Sequence, residues 1–270
     1  MNNNHNYPKP KALITGFSSG IGYAYSNYLS KQGWDLSLIS QQESKAKKAY
    51  DSINNPHAKY YIADLSKPEE VSRVLKNIES PQLIVANAGV TKYGEAGQLD
   101  SDEKKDLFYL LCTGVIDLIE YFLPNMKKTK GSRIVIISSI GAITPMPKSS
   151  IYAAAKSGIF SYGQSLHQEL LKYNIPVTVS LPGYVKTEAH KRAGLEHLNR
   201  KVPSWMWVNA ERVVLETENA SQAGKSKIIP GIIYKLVKPF LQFNLSNKLW
   251  HRITRRKSIK FLLLKVDLHH

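Results

Sequence analysis

Residues 12–22 read ALITGFSSGIG: a short β-rich run, then three glycines within seven positions, then the opening of a helical pattern. No other feature of the chain restricts its fold so strongly. A strand that passes straight into a helix through such a turn begins a βαβ unit. Gly16 permits the tight turn, while Gly20 and Gly22 let a phosphate and the sheet approach the helix backbone. The first turn of a helix also presents unbonded N–H groups and a partial positive charge to an anion. In this context Gly16, Ser18, Ser19, Gly20, Ile21 and Gly22 are the expected cradle of a dinucleotide.

The alternation continues along the chain. Strands are predicted at Ala12–Thr15, Leu36–Ile39, Tyr60–Ala63 and Leu83–Ala86, with helices starting near Gly20, Glu43 and Pro68. A longer helix follows over Ser101–Lys127, then a strand at Arg133–Ser138, a helix carrying Tyr152 and Lys156, a strand at Val177–Leu181 and a last strand near Lys227–Ile229. This order predicts an α/β fold: one doubly wound parallel sheet with helices on both faces. At 270 residues and 43% apolar composition, one large domain over residues 1–230 accounts for the pattern, followed by an extension over 231–270.

Composition narrows the function classes. The single cysteine, Cys112, excludes an internal disulfide framework and a cysteine-based metal site, and its expected role is that of a small buried hydrophobe. The eight histidines are scattered without ligand spacing, so no metal is expected. The opening MNNNHNYPKPK has no apolar core of a signal peptide, and no run reads as a membrane span, which together predict a cytoplasmic protein. The net charge of +16 is uneven: from Lys225 onward eleven lysines and arginines face only Asp267. There Leu245, Leu249, Trp250 and Ile253 fall on one helical face, with Lys248, Arg252, Arg255 and Arg256 around it. That pattern predicts a basic amphipathic C-terminal helix, packed on the domain or a partner subunit, or in peripheral contact with an anionic membrane at its inner face. No nucleic-acid-binding motif accompanies the charge.

The glycine turn has the form TGxxxGIG, and with it the chain resembles the short-chain dehydrogenase/reductase family. The likeness spreads over six motifs in family order, and the family's fold is Rossmann-like. Asp64, followed by Leu65 in ADLS, resembles the aspartate that contacts adenine, and Asn87-Ala88-Gly89 is similar to the family's NAG segment beside the cofactor. Ser139 stands 13 residues before Tyr152, as the substrate-orienting serine does, and Tyr152-x-x-x-Lys156 matches the catalytic pair. Pro182-Gly183, with Val185 and Thr187, resembles the PGxVxT turn that holds the nicotinamide amide and phosphates. With its IPG turn, WMW segment and long basic tail, the chain looks like a poorly characterised bacterial branch of that family.

The resemblance implies an oxidoreductase that interconverts a ketone and a secondary alcohol. Tyr152 would supply the proton, Lys156 would lower the phenol's pKa from its usual value of about 10 and bond the nicotinamide ribose, and Ser139 would hold the substrate oxygen. In one place the chain departs from the family. The asparagine usually found three residues before Gly114 is Leu111 here. Either a backbone carbonyl or another side chain holds the water that relays protons to the lysine, or turnover is slow or lost and the chain is a cofactor-binding protein that docks through its tail.

At the end of the second strand, Ser40 and Gln41 occupy the acidic and basic selector positions. Without a carboxylate to repel the 2′-phosphate, and with Ser40, Gln41 and Lys45 able to bond it, NADP(H) is favoured over NAD(H). A substrate lid is expected over about 188–208, and Leu195, Leu198, Trp205, Met206 and Trp207 in it suggest a hydrophobic, lipid-like substrate. Family members commonly pair through their long helices, which implies a homodimer or homotetramer.

Overall fold

The structure, a computed structural model, describes residues 9–92, 94–185 and 202–234. Thr187, most of the expected lid including Leu195 and Leu198, and the expected basic helix beyond residue 234 lie outside the described residues.

Strands and helices alternate as β1 (Lys11–Thr15), α1 (Gly20–Lys31), β2 (Asp35–Ser40), α2 (Glu43–Ile53), β3 (Ala58–Ile62), α3 (Pro68–Leu75) and β4 (Leu83–Ala86). Then come α4 (Ser101–Phe108), α5 (Gly114–Met126), β5 (Arg133–Ile137), α6 (Ser150–Leu170) and β6 (Val177–Ser180). The short strands β7 (Tyr184–Val185) and β8 (Trp207–Val208), α7 (Ala210–Gln222) and β9 (Lys227–Ile228) complete the described chain. Seven strands form one sheet in the order β3-β2-β1-β4-β5-β6-β9, every neighbouring pair parallel. The chain leaves β1 first toward β2 and later toward β4, so the winding reverses there and a crevice opens at the strands' carboxyl ends. Helices α1, α2 and α7 pack together on one face, α3, α5 and α6 on the other.

Burial on both faces explains why the central strands are rich in apolar, β-branched residues. LIVA, RIVII and VTVS are buried at every position, as parallel sheets between two helical layers require. Helix starts fall where local chemistry puts them: Pro68 opens α3 with its missing N–H at a position that needs none, and the Asn209 side chain accepts the Arg212 N–H at 3.0 Å to cap α7.

Two features differ from the sequence expectation. The expected helix Ser101–Lys127 is broken by a π turn over Tyr109–Thr113. By length and composition the stretch Ser101–Met126 could also cross a bilayer, a property the sequence reading did not assign to any segment. Leu107, Leu118, Ile119, Phe122 and Met126 are nevertheless buried in the domain core, so its apolarity serves packing.

A buried ionic knot lies at the opposite end of the sheet from the crevice. Arg133, the first residue of β5, donates to both carboxylate oxygens of Glu218 in α7 at 2.5 and 3.0 Å, and to Ser221. The Tyr25 hydroxyl of α1 donates to the same carboxylate at 2.6 Å, and Gln222 donates at 3.0 Å. The Glu218 side chain is 1% exposed, so its charge is stabilised by these donors instead of water. Removing one partner of a buried pair strands the other, and Glu218→Ala is expected to lower the unfolding free energy by about 3–5 kcal/mol in chemical denaturation. Lys47→Ala, which breaks an exposed, solvent-screened pair with Asp51, should leave stability nearly unchanged. Equal effects would disprove the structural importance assigned to the knot.

Candidate functional site

In a parallel sheet all carboxyl ends share one edge, so residues far apart in sequence converge there. Gly16 follows β1, Ser40 ends β2, Asp64 follows β3, Asn87 follows β4, Ser139 follows β5 and Pro182-Gly183 follow β6. All the sequence-predicted site residues among those described therefore lie at this edge or on the helix starts beside it.

The glycine turn is held by close backbone approaches. Gly16 has φ +69°, and a Cβ there would stand 2.9 Å from the Ala88 Cα. A Cβ on Gly22 would meet the Gly16 carbonyl oxygen at 2.3 Å and the Asn87 amide nitrogen at 2.5 Å. No side chain fits at either position. Asn87 ties the turn to β4: its side-chain N–H₂ donates to the carbonyls of Thr15 (2.9 Å) and Gly16 (3.3 Å), while the Thr15 hydroxyl accepts from the Asn87 and Ala88 N–H groups, both at 2.9 Å. The first turn of α1 carries no acidic residue and its N-cap Ser19 makes no side-chain capping bond. The opening N–H groups are thus suited to a phosphate, and the donor set fits a dinucleotide.

The two expected selectors are engaged within the protein. Ser40 donates to the Ser18 hydroxyl at 3.0 Å, and Gln41 bonds the Asp64 side chain. Burial pushes the Asp64 carboxyl up, but hydrogen bonds from Ser66 and Gln41 outweigh it and hold the group below its ordinary value. Lys45, half-buried in the first turn of α2, makes no ion pair among the described residues.

Ser139, Tyr152 and Lys156 are brought together by docking of the β5 end onto α6. The Ser138 hydroxyl donates to the Lys156 carbonyl at 2.9 Å, the Lys156 ammonium donates to the Ile137 carbonyl at 2.8 Å, and the Ser157 hydroxyl donates to the Ala142 carbonyl at 2.9 Å. Ser139 caps the short turn Ile140–Ala142, its hydroxyl accepting the Gly141 N–H at 3.1 Å. Tyr152 and Lys156 are one turn apart on the same face of α6. A cavity of about 270 Å³ borders Tyr152, lined in part by Lys92, Lys104, Lys148, Leu99 and Leu107. Lys92 and Lys148 are paired with Glu103 and Glu95.

Lys156 is 6% exposed, and burial pushes its ammonium down to about 8, with Cys112 acting weakly in the other direction. The surroundings are apolar because of the π turn. A Cβ on Gly89 would lie 2.9 Å from a Leu111 methyl and 3.8 Å from the Lys156 nitrogen, so Leu111 and the amine both border Gly89. Cys112 also reaches this neighbourhood, its sulfur 3.0 Å from a Cβ built on Gly158. Both residues belong to the π turn, which rotates the chain differently from a regular α-helix.

The sequence reading did not anticipate the pairing of β7 with β8, nor the role of Tyr234 behind Gly183; the register Tyr184↔Trp207 and Val185↔Val208 joins the stretch before the expected lid to the lid's last residues. Met206 is buried and the Trp207 ring lies 5.5 Å from that of Tyr184, whereas Trp205 is 60% exposed.

The folded-state value of Lys156 lies below its ordinary 10.5. Between about pH 8 and 10.5 the unfolded chain binds more protons at this site, so the stability contribution of Lys156 rises with pH across that window. Thermal unfolding of wild type and Lys156→Met should show the wild type gaining on the variant from pH 7.5 to pH 10; a constant difference would contradict the depressed value.

Comparison with known proteins agrees with this geometry. The sequence profile described as short chain dehydrogenase matches residues 10–197. An uncharacterized oxidoreductase of Staphylococcus epidermidis is 27% identical over 180 residues, covering 65% of this chain and 78% of its own. The 3-oxoacyl-[acyl-carrier-protein] reductase FabG of Salmonella typhimurium is 29% identical over 181 residues, covering 66% and 74%. Among solved structures, a short-chain dehydrogenase from Sphingobium yanoikuyae in complex with NADPH aligns with a TM-score of 0.76 at 23% identity, covering 93% of this chain and 97% of that one. A 4-hydroxyisoleucine dehydrogenase complexed with NADH aligns with a TM-score of 0.73 at 20% identity, covering 83% and 97%. With its profile match across more than half its length and its glycine turn, NAG segment and Tyr152/Lys156 pair at one sheet edge, the chain belongs to the short-chain dehydrogenase family and is an NAD(P)-dependent oxidoreductase.

Proposed function

We propose that the protein interconverts a ketone and a secondary alcohol, with Tyr152 as acid and base, Ser139 holding the substrate oxygen and Lys156 supporting the phenolate. The observation that carries this reading is the docking of β5 on α6, which seats Ser139 and the Tyr152/Lys156 turn at the carboxyl edge beside the dinucleotide cradle. A bound nicotinamide dinucleotide supplies or takes the hydride at the substrate carbon. In reduction the Tyr152 O–H donates its proton to the substrate oxygen, and in oxidation the phenolate takes it back. The Ser139 hydroxyl donates to the same oxygen, orienting it and stabilising the charge that develops there. A positive Lys156 lowers the cost of the phenolate by a short-range electrostatic interaction in a water-poor site.

The substrate reading is a ketone with an apolar body. Support comes from Trp205, exposed next to the β7/β8 pair, and from Leu99 and Leu107 in the cavity beside Tyr152. For the cofactor, NADP(H) is favoured. No carboxylate ends β2, Ser40 and Gln41 already bond Ser18 and Asp64, and Lys45, near the selector positions, makes no ion pair among the described residues.

A second reading rests on Leu111. Its side chain borders Gly89 together with the Lys156 amine, and a hydrocarbon side chain cannot hold a relay water, which favours a cofactor-binding protein with slow or no turnover.

Tyr152→Phe separates the two readings. Over a panel of apolar ketones, with matched keto acids and esters, wild type should consume reduced cofactor and the variant should be slower by about 10²–10⁴-fold with dinucleotide affinity retained. Silence of the wild type across the panel with binding intact would favour the second reading. In direct titration, NADPH is expected to bind more tightly than NADH, and Lys45→Ala to narrow the gap; a preference for NADH would refute the selector argument.

A further inference from the structure

Among the described residues after β9, Tyr234 reaches the Gly183 turn. Gly231, at φ +91°, turns the chain, and its N–H lies 3.3 Å from the Glu216 carboxylate. Three residues later Tyr234 is 1% exposed. Its ring covers Gly183: a Cβ there would stand 2.0 Å from the ring carbon that bears the hydroxyl. The hydroxyl accepts the Tyr184 N–H at 2.8 Å and donates to the Met206 carbonyl at 2.7 Å. A phenol has one proton and acceptor lone pairs, so both bonds form at once and tie the approach to β7 to the approach to β8. The β7/β8 ribbon has only two residues per strand, too few for stability on its own. On the other side of the turn the Pro182 carbonyl accepts the Ile140 N–H at 2.9 Å. The turn Pro182–Val185 is therefore fixed between the Ser139 segment and Tyr234.

We infer that Tyr234 is a positioning residue for the nicotinamide end of the cofactor: it sets the Gly183–Tyr184 backbone through ring packing and two hydrogen bonds without touching the reacting atoms. This rests on the proposed reading that the 182–185 turn receives that end of the dinucleotide. The adenosine end is read at Gly16–Gly22 and Asp64, on the other side of the β1/β4 crevice, and Tyr234 makes no hydrogen bond there. Loss of its hydroxyl should thus affect one half of the cofactor only.

The test uses the full chain with Tyr234→Phe, which keeps the ring but leaves the Tyr184 N–H and the Met206 carbonyl without their partner. NADPH and 2′-phospho-ADP-ribose, which lacks the nicotinamide, are titrated into both proteins. The variant should bind NADPH about tenfold more weakly while its affinity for the fragment changes less than about twofold, and kcat should fall with the KM for ketone little changed. Equal weakening of both ligands, or of neither, overturns the inference. If the variant does not fold, hydrogen exchange at the Tyr184 amide of the wild type decides: extra protection with NADPH but not with the fragment supports the assignment, and equal protection overturns it. A wild type that binds neither ligand defeats the proposed function together with this inference. One that binds and turns over, with Tyr234→Phe indistinguishable from it, defeats this inference alone.

Discussion

The site depends on a close approach of three backbone segments at the ends of β1 and β4. Gly16, Gly22 and Asn87 sit so near one another that a methyl group on either glycine would overlap a neighbour, and the Asn87 side chain bridges the gap by donating to two β1-end carbonyls. The Thr15 hydroxyl accepts from two successive N–H groups after β4, so backbone polar groups at the winding reversal are satisfied by two small side chains, Thr15 and Asn87. The crevice opens at this winding reversal, and the short side chains of Thr15 and Asn87 tie its two backbone edges together.

Around Lys156 the balance is between desolvation and hydrogen bonding. Its ammonium is nearly sealed from water and has a carbonyl partner at 2.8 Å, with Leu111 and Cys112 nearby. Burial disfavours the charge, and a single neutral acceptor offsets only part of that cost. The π turn makes this environment possible by reorienting residues that a regular helix would place elsewhere; such turns often occur at functional sites. The ionic knot of Arg133, Glu218 and Tyr25 solves the opposite problem. There a full charge pair is buried with enough donors to hold it, and it joins α1, α7 and β5 at the end of the sheet away from the chemistry.

Most of the layered fold was legible because its signals are local. The starts of α1, α2 and α3 at Gly20, Glu43 and Pro68 and the strand Leu83–Ala86 stand where apolar periodicity and turn residues placed them, and the Asn209 cap follows from side-chain chemistry alone. The π turn was not legible, since Tyr109–Thr113 has the composition of an ordinary helix and its extra residue is accommodated by packing against α6. Nor was the Arg133–Glu218 pair, whose partners are 85 residues apart. The same holds for Ser40 and Gln41: their positions were readable, but their engagement by Ser18 and Asp64 depends on how the ends of β2 and β3 meet.

By itself the sequence determined the order of strands and helices, the glycine turn, the one-turn spacing of Tyr152 and Lys156 and membership of an oxidoreductase family, since each is written in residues near one another or in motifs of fixed spacing. Tertiary structure alone decided how deeply Lys156 is buried, what Leu111 touches and that Tyr234 supports the Gly183 turn from 51 positions away. Desolvation and hydrogen-bond geometry vary over ångströms and depend on which surfaces meet across the sheet. A one-dimensional pattern carries no record of that meeting.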